Sequence, residues 1–393
     1  MKFNSNLLIL FFTLVVVMMG FGIVIPIIPF YIDSFGAGGS AMGMFMALFS
    51  IMQFIFAPIW GSIADHYGRK PILIIGAFGN GISLLLMGLS THLWMLFASR
   101  TLAGILSSAT FPAAMAFIGD STTEENRSGG MGIIGAAMGI GMVIGPGIGG
   151  IFASNSLNVP FFIGAGLSIL ATILIFIVLP ESLEPHSRNS TKKIIGPQLK
   201  TMWNALSGPI GYLLFLGFLV SFALTAFEGI FGLYALYKFD YGPGQVGIIL
   251  TVIGLMSAVV QGILTGPITK RFGEYSVIKT SLLCSAIGFI LMLLAIDFVT
   301  VLITVSIFVI SNAMLRPSIS SLISKRTNKE QGITMGLNNS FMSLGRFIGP
   351  LMAGSLFDVN INLPYSSASI ILFAGFIIST IIMKPKKQEV PIK

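Results

Sequence analysis

Charge is what this chain has least of. Only 9% of its 393 residues are Asp, Glu, Lys or Arg, 54% are hydrophobic, and the mean hydropathy is +0.93. So few polar groups cannot cover the surface of a water-soluble protein of this length, so its solvent must be lipid. A single cysteine, Cys284, excludes a disulfide framework and a Cys-based metal site. The three histidines are expected in peripheral positions, His66 and His186 in loops on one side and His92 in a turn on the other, so no metal is expected. There is no Gly-x-x-x-x-Gly-Lys-Ser/Thr loop, which argues against a nucleotide-driven pump. No nucleophile, base and orienting group occur together, so an enzyme has no support.

What the chain has instead is a series of apolar segments of about twenty residues, the length of a membrane-spanning helix. Backbone groups in hydrocarbon must be satisfied within a helix or a closed barrel, and these segments lack the alternation of barrel strands. Twelve spans are expected, the first from Leu7 to Phe30 and the last from Pro364 to Met383, giving an all-α membrane protein. Lys2, Arg69, Lys70, Arg127, the stretch from Arg188 to Lys200, Lys270, Arg271, the stretch from Lys325 to Lys329 and the tail from Lys384 all fall on one side. Asp33, Asp240, Asp297 and Asp358 fall on the other, where Lys238 is the only basic residue expected, in a loop. By the positive-inside rule both termini and the middle loop are cytoplasmic. The net charge of +8 is thereby accounted for without a nucleic-acid partner.

One long polar segment divides the chain, so residues 1–180 are expected to form one six-helix bundle, 181–208 a cytoplasmic linker and 209–393 a second bundle. The halves repeat. The segment from Gly61 to Lys70 aligns with that from Gly266 to Tyr275 at a shift of 205 residues, and the same shift carries Phe111-Pro112 onto Arg316-Pro317. The Gly145-Pro146 pair meets Gly349-Pro350 at 204. Anchors at nearly one spacing indicate two parallel repeats about an axis along the membrane normal, with a substrate site between them near mid-depth. Glu228 is the one acid placed in the middle of a span, where a carboxylate costs several kcal/mol unless it is protonated, paired or watered.

These residues carry a resemblance. Gly61, Asp65, Gly68, Arg69 and Lys70 stand as in the cytoplasmic loop motif of the major facilitator superfamily, which implies a gate. Gly132, Gly141, Gly145, Pro146, Gly149 and Gly150 resemble the span-five signature of drug–proton antiporters, where small residues permit close packing and proline bends the helix. Met19 to Tyr31, with Pro26 and Pro29, is similar to the first-helix motif of the twelve-helix branch of those antiporters, and Arg100 resembles their buried arginine. Glu228, Leu315-Arg316-Pro317 and Asn338-Asn339-Ser340 match the NorA-like and Bmr-like multidrug exporters of Gram-positive bacteria. The resemblance implies two pseudo-symmetric bundles in a bacterial cytoplasmic membrane, with no cofactor. It further implies efflux of small amphipathic molecules such as antibiotics, driven by the proton gradient, with Glu228 and Arg100 coupling the proton.

Two departures from that pattern concern charge. Ala313 stands where those relatives commonly have an aspartate, and Arg346 where a neutral residue is expected. Arg100, Arg316 and Arg346 against Glu228 leave the interior at +2, a poor trap for a dication. An alternative is therefore a dedicated exporter of an anionic or zwitterionic metabolite, such as a carboxylate siderophore, or a lipid flippase on the same fold. An uptake symporter is disfavoured by the span-five motif. Phe222, Phe227 and Phe231 are expected to line the cavity beside Glu228, with Gln53, Asn338 and Asn339 as orienting hydrogen-bond partners. A monomer is the default expectation.

Overall fold

The computed structural model describes residues 5–122, 127–183, 199–208, 210–326 and 331–382. Most of the middle loop's basic stretch, Lys329 and both termini lie outside the described residues. The first half comprises α1 (Ser5–Ser34), α2 (Gly39–Tyr67), α3 (Arg69–Gly88), α4 (Leu93–Leu106), α5 (Thr110–Ser121), α6 (Arg127–Ala153) and α7 (Val159–Val178). A 3-10 turn, Ser107–Ala109, joins α4 to α5 in one span. After the short α8 (Leu199–Leu206), the second half comprises α9 (Gly211–Phe239), α10 (Pro243–Val259), α11 (Thr265–Phe272), α12 (Glu274–Leu293), α13 (Phe298–Arg326), α14 (Gln331–Val359) and α15 (Leu363–Ile382). A π-turn at Val260–Leu264 joins α10 to α11.

Eleven of these spans are long and apolar enough to cross a membrane. The twelfth, α14, has the length, 29 residues, but carries Asn338, Asn339 and Arg346 in place of apolar residues. Ile173, Phe176, Ile177, Ile370 and Ile381 are exposed on the outside of the bundle, as a lipid-facing surface requires. The chain is thus a multi-pass membrane protein with the two-bundle architecture expected.

The repeat is visible in the backbone. Gly68 between α2 and α3 has φ +114°, and Gly273 between α11 and α12 has φ +78°, 205 residues further on. Both close a reversal that a side chain would strain, and a Cβ at Gly68 would also collide with the carboxylate of Glu181. Gly61, at the start of the same motif, lies within α2 in ordinary contact with Pro112, and Gly68 makes the reversal. Charged residues repeat at the same spacing with their signs exchanged. In the first half Arg69 pairs with Asp65 at 2.5 Å and Asp120 at 3.1 Å. The equivalent positions are Glu274, Lys270 and Lys325, and Glu274 pairs with Lys325 and accepts a hydrogen bond from Ser321 at 3.1 Å.

Lys238 lies in the last turn of α9 and not in a loop. Its ammonium donates to the carbonyl of Leu293 at 2.7 Å and to the hydroxyl of Tyr234 at 2.8 Å. A cation thereby satisfies a carbonyl at the end of α12, which explains one basic residue on the acidic side.

The halves meet along α2 with α14, α6 with α10 and α1 with α9. At the acidic ends two of these contacts are backbone to backbone, Gly39 against Gly354 and Gly150 against Gly247, while Gly232 lies against the ring of Pro29. Tyr237 of α9 donates to Asp33 of α1 at 2.6 Å across the same seam. On the basic side α5 and α11 find their principal contacts within their own halves. The structure is therefore closed at the face that carries the aspartates.

Candidate functional site

Glu228 is carried by α9, a helix surrounded by α1 and α2 of the first half and α13, α14 and α15 of its own. Its carboxylate makes no hydrogen bond or ion pair among the described residues, yet the residue is only half-buried. On an encircled helix that accessible surface belongs to a gap between helices and not to the lipid face. A carboxylate at this depth without a partner is costly unless it is protonated or watered.

The glycines of α14 set its register on α9. Gly345 lies between the backbone of Phe218 and Phe222, and Gly349 between that of Phe222 and Ala226, with no room for a Cβ at either. Thr225 also donates to the carbonyl of Gly345 at 3.4 Å. Arg346 is thereby fixed roughly 10 Å along the helix from Glu228, at the usual rise per residue. It lies within electrostatic reach of both Glu228 and Arg316 but forms no ion pair with either. One guanidinium nitrogen donates to Ser343 at 2.8 Å, and Nε is buried without a partner. Arg316, on α13, is exposed and makes no hydrogen bond or ion pair among the described residues. Asn312, four residues earlier, donates to the carbonyl of Val220, so this face of α13 points at α9.

Arg100 is 2% exposed and has no carboxylate beside it. Its guanidinium carbon stands 4.4 Å from the ring centre of Phe49, 4.9 Å from Phe45 and 5.4 Å from Phe21. The negative ring faces compensate the buried cation, aided by the Met46 sulfur at 3.7 Å. No sequence motif marks this cage, because its rings come from α1 and α2 while the arginine comes from α4.

The phenylalanines expected beside Glu228 are placed otherwise. Phe227 and Phe231 are 0% and 1% exposed and pack on each other at 4.8 Å, with Phe308 5.4 Å from Phe227. They belong to the aromatic core of the second half and line no cavity in this conformation. Phe222 is buried as well, stacked at 5.8 Å on Phe218, which is half-exposed. Helical spacing identified a shared stripe but could not say that neighbouring helices cover it. Gln53 is half-buried on α2 and Asn339 is exposed, whereas Asn338 is buried against Gly217 with its carbonyl oxygen unpaired.

The gating candidates fall into three groups. Gly141, Gly145 and Gly149 face α1, where a Cβ would meet the backbone of Val15, Gly22 and Ile23. Gly150 faces α10, and Pro146, inside α6, presents its carbonyl to Gly247. Arg69 is bound within its own half, and Lys70 stands 5.9 Å from the ring centre of Phe176, also in that half. Glu181 accepts the backbone N–H of Arg69 at 2.8 Å and of Lys70 at 3.3 Å, capping α3. Among the described residues no group of acids, histidines and cysteine could hold a metal ion. A cavity of about 890 Å³ opens at the acidic face, lined by Asp33, Lys238, Asp240, Tyr241, Asp297 and Phe298, beyond the sealed ends and away from Glu228.

Comparison with known proteins agrees with this geometry. The family model described as Major Facilitator Superfamily matches residues 10–350, and again 213–393. Multidrug resistance protein 1 of Bacillus subtilis (strain 168) is 35% identical over 376 residues, 95% of each chain. Multidrug resistance protein 2 of the same strain is 31% identical over 385 residues, 97% of this chain and 96% of that one. The quinolone resistance protein NorA of Staphylococcus aureus (strain COL) is 32% identical over 377 residues, 95% of this chain and 96% of its own. Among solved structures the nucleoside transporter NupG superposes with a TM-score of 0.76 at 16% identity, covering 95% and 99% of the chains. The human organic anion transporter TETRAN gives 0.69 at 22% identity, covering 95% and 98%.

Proposed function

Because this chain belongs to the major facilitator superfamily, and is therefore a transporter and not an enzyme, we propose that it exports small amphipathic drugs in exchange for protons. The relatives' names support drug efflux, and the observation that carries the proton coupling is Glu228, an unpaired, half-buried acid on an encircled helix. Residues 1–180 and 209–393 are the two bodies that rock about it, joined by 181–208. The basic face is cytoplasmic, as the charge asymmetry of the loops requires, and both termini lie there in a bacterial cytoplasmic membrane. The protein works as a monomer without a cofactor.

Alternating access then follows from electrostatics. With the acidic face closed, the gap around Glu228 communicates with the cytoplasm, where the carboxylate loses its proton and attracts a cationic substrate. When the halves tilt and the outer seam parts, Glu228 meets the more acidic exterior, takes up a proton and releases that substrate. Arg346 favours the ionised form when close, and desolvation favours the neutral one, so a change of neighbours changes proton affinity. Arg100 stabilises the first half around its cage and contributes positive potential to the coupling. Arg69, Lys70 and their partners hold the cytoplasmic turn for closure on that side.

The test is transport of a cationic dye in proteoliposomes under an imposed pH gradient. Glu228→Gln is expected to remove proton-driven accumulation while leaving the detergent-solubilised protein monodisperse. Uphill transport retained by a folded Glu228→Gln protein would overturn the assignment.

A further inference from the structure

Exporting cations calls for an acid, and Glu228 supplies it. Nothing in that chemistry calls for two arginines on the same wall. Glu228 is the only acid of the 14 that lies deep inside a span; every other one in the described helices sits near a helix end. Among the described residues no carboxylate other than Glu228 lies at this depth, and none pairs with Arg316 or Arg346.

The order of these groups follows from helix register. Gly345 between Phe218 and Phe222 sets Arg346 near the level of Ser221, with Glu228 further toward the acidic face. Asn312 meets Val220, and α13 runs opposite to α9, so Arg316 lies one turn nearer the basic face than that contact. From the basic side the wall reads Arg316, Arg346, Glu228. The two arginine side chains start about 8 Å apart along the axis, and each can reach about 6 Å, so a single anion can bridge them. Both have vacant donors: Arg316 makes no bond among the described residues, and the Nε of Arg346 is buried without a partner. A guanidinium in that condition is a site for an oxyanion.

We propose that Arg316 and Arg346 form a carboxylate subsite, so that the preferred cargo is zwitterionic, with its cationic group at Glu228 and its carboxylate about 10 Å nearer the cytoplasm. This rests on the proton-exchange reading of Glu228 and makes it more specific. Exchange itself selects the zwitterion. A proton arriving at Glu228 displaces a cationic group, but it would strengthen the wall's hold on a simple anion, which would then travel with the proton and not against it.

A matched pair of dyes tests the proposal: a zwitterionic rhodamine with a free carboxylate, and its methyl ester, which is a plain cation. Both are presented to proteoliposomes under a pH gradient, and the ratio of their initial rates is the readout. Arg346→Gln and Arg316→Gln are each expected to lower the zwitterion-to-ester ratio about tenfold, the scale of one lost charge-assisted contact. Arg346→Lys, which keeps the charge, is expected to recover part of it. An unchanged ratio in folded Arg346→Gln and Arg316→Gln proteins overturns the subsite, even where both dyes remain proton-driven. A wild-type protein that drives neither dye overturns the exchange reading on which the subsite depends.

Discussion

The carboxylate of Asp358, at the end of α14, accepts the backbone N–H of Gly39 at 2.6 Å, and with it that of Ser40 at 2.8 Å. An acid of the second half thus caps the first turn of α2 in the first half. A carboxylate at a helix N-terminus stabilises by up to about 1 kcal/mol at an exposed site, enough to bias two conformations severalfold. Asp358→Asn is therefore expected to shift the protein toward the form open at this face. Spin labels on cysteines introduced at Ser34 and Asn360, in a Cys284→Ser background, should report longer and broader distances; an unaltered distribution would refute the latch.

Gly150 and Gly247 give a steric counterpart. A Cβ at Gly150 would stand 2.7 Å from the carbonyl oxygen of Pro243 and 2.8 Å from the Cα of Gly247, with backbone on both sides and nothing flexible to yield. Gly150→Val is expected to keep the seam from closing and to stop turnover. Size-exclusion profiles should remain those of a folded protein, because Gly150 faces α10 of the other half. Dye export at wild-type rate would show that the seam does not need this approach.

The charged turn of the first half can be tested by rebuilding it in the image of the second. Arg69→Glu alone gathers like charges at Asp65, Asp120 and position 69, and should cost roughly 1–3 kcal/mol through lost charge-assisted bonds and repulsion. Adding Asp65→Lys and Asp120→Lys restores opposite charges at every contact and should recover most of the thermal stability in detergent. A triple variant no more stable than Arg69→Glu would mean that the repeat's charge exchange has no structural equivalence.

Removing the ring nearest Arg100 probes the cage. Phe49→Leu keeps the volume roughly constant but deletes a cation–π partner 4.4 Å away, worth up to about 2 kcal/mol when desolvated. The unfolding temperature should fall by several degrees. An equal fall in an Arg100→Met background would assign the loss to packing instead of the cation.

The spans, their repeat and the turn glycines were legible because each is a local signal: twenty apolar residues, a fixed spacing, a reversal that excludes a side chain. Glu228 was legible for the same reason, since a lone acid in a hydrophobic run has no bland structural use. Burial of Phe227 and Phe231 was not, because periodicity defines a face without saying which helix covers it. The Phe21, Phe45 and Phe49 cage was hidden because it joins three spans. Lys238 misled because a basic residue on the acidic side looks like a loop charge until the Leu293 carbonyl is seen beside it.

The sign exchange between Asp65, Arg69, Asp120 and their counterparts Lys270, Glu274, Lys325 gives the two copies of an otherwise repeated design unlike ends on the basic face, one minus and one plus. A symmetric duplicate would set like against like whenever those ends drew together, and would resist one half of every cycle. In the alternating access proposed above, the halves would approach here as a plug approaches its socket, and the chain's own asymmetry would favour the return stroke whether or not cargo is aboard.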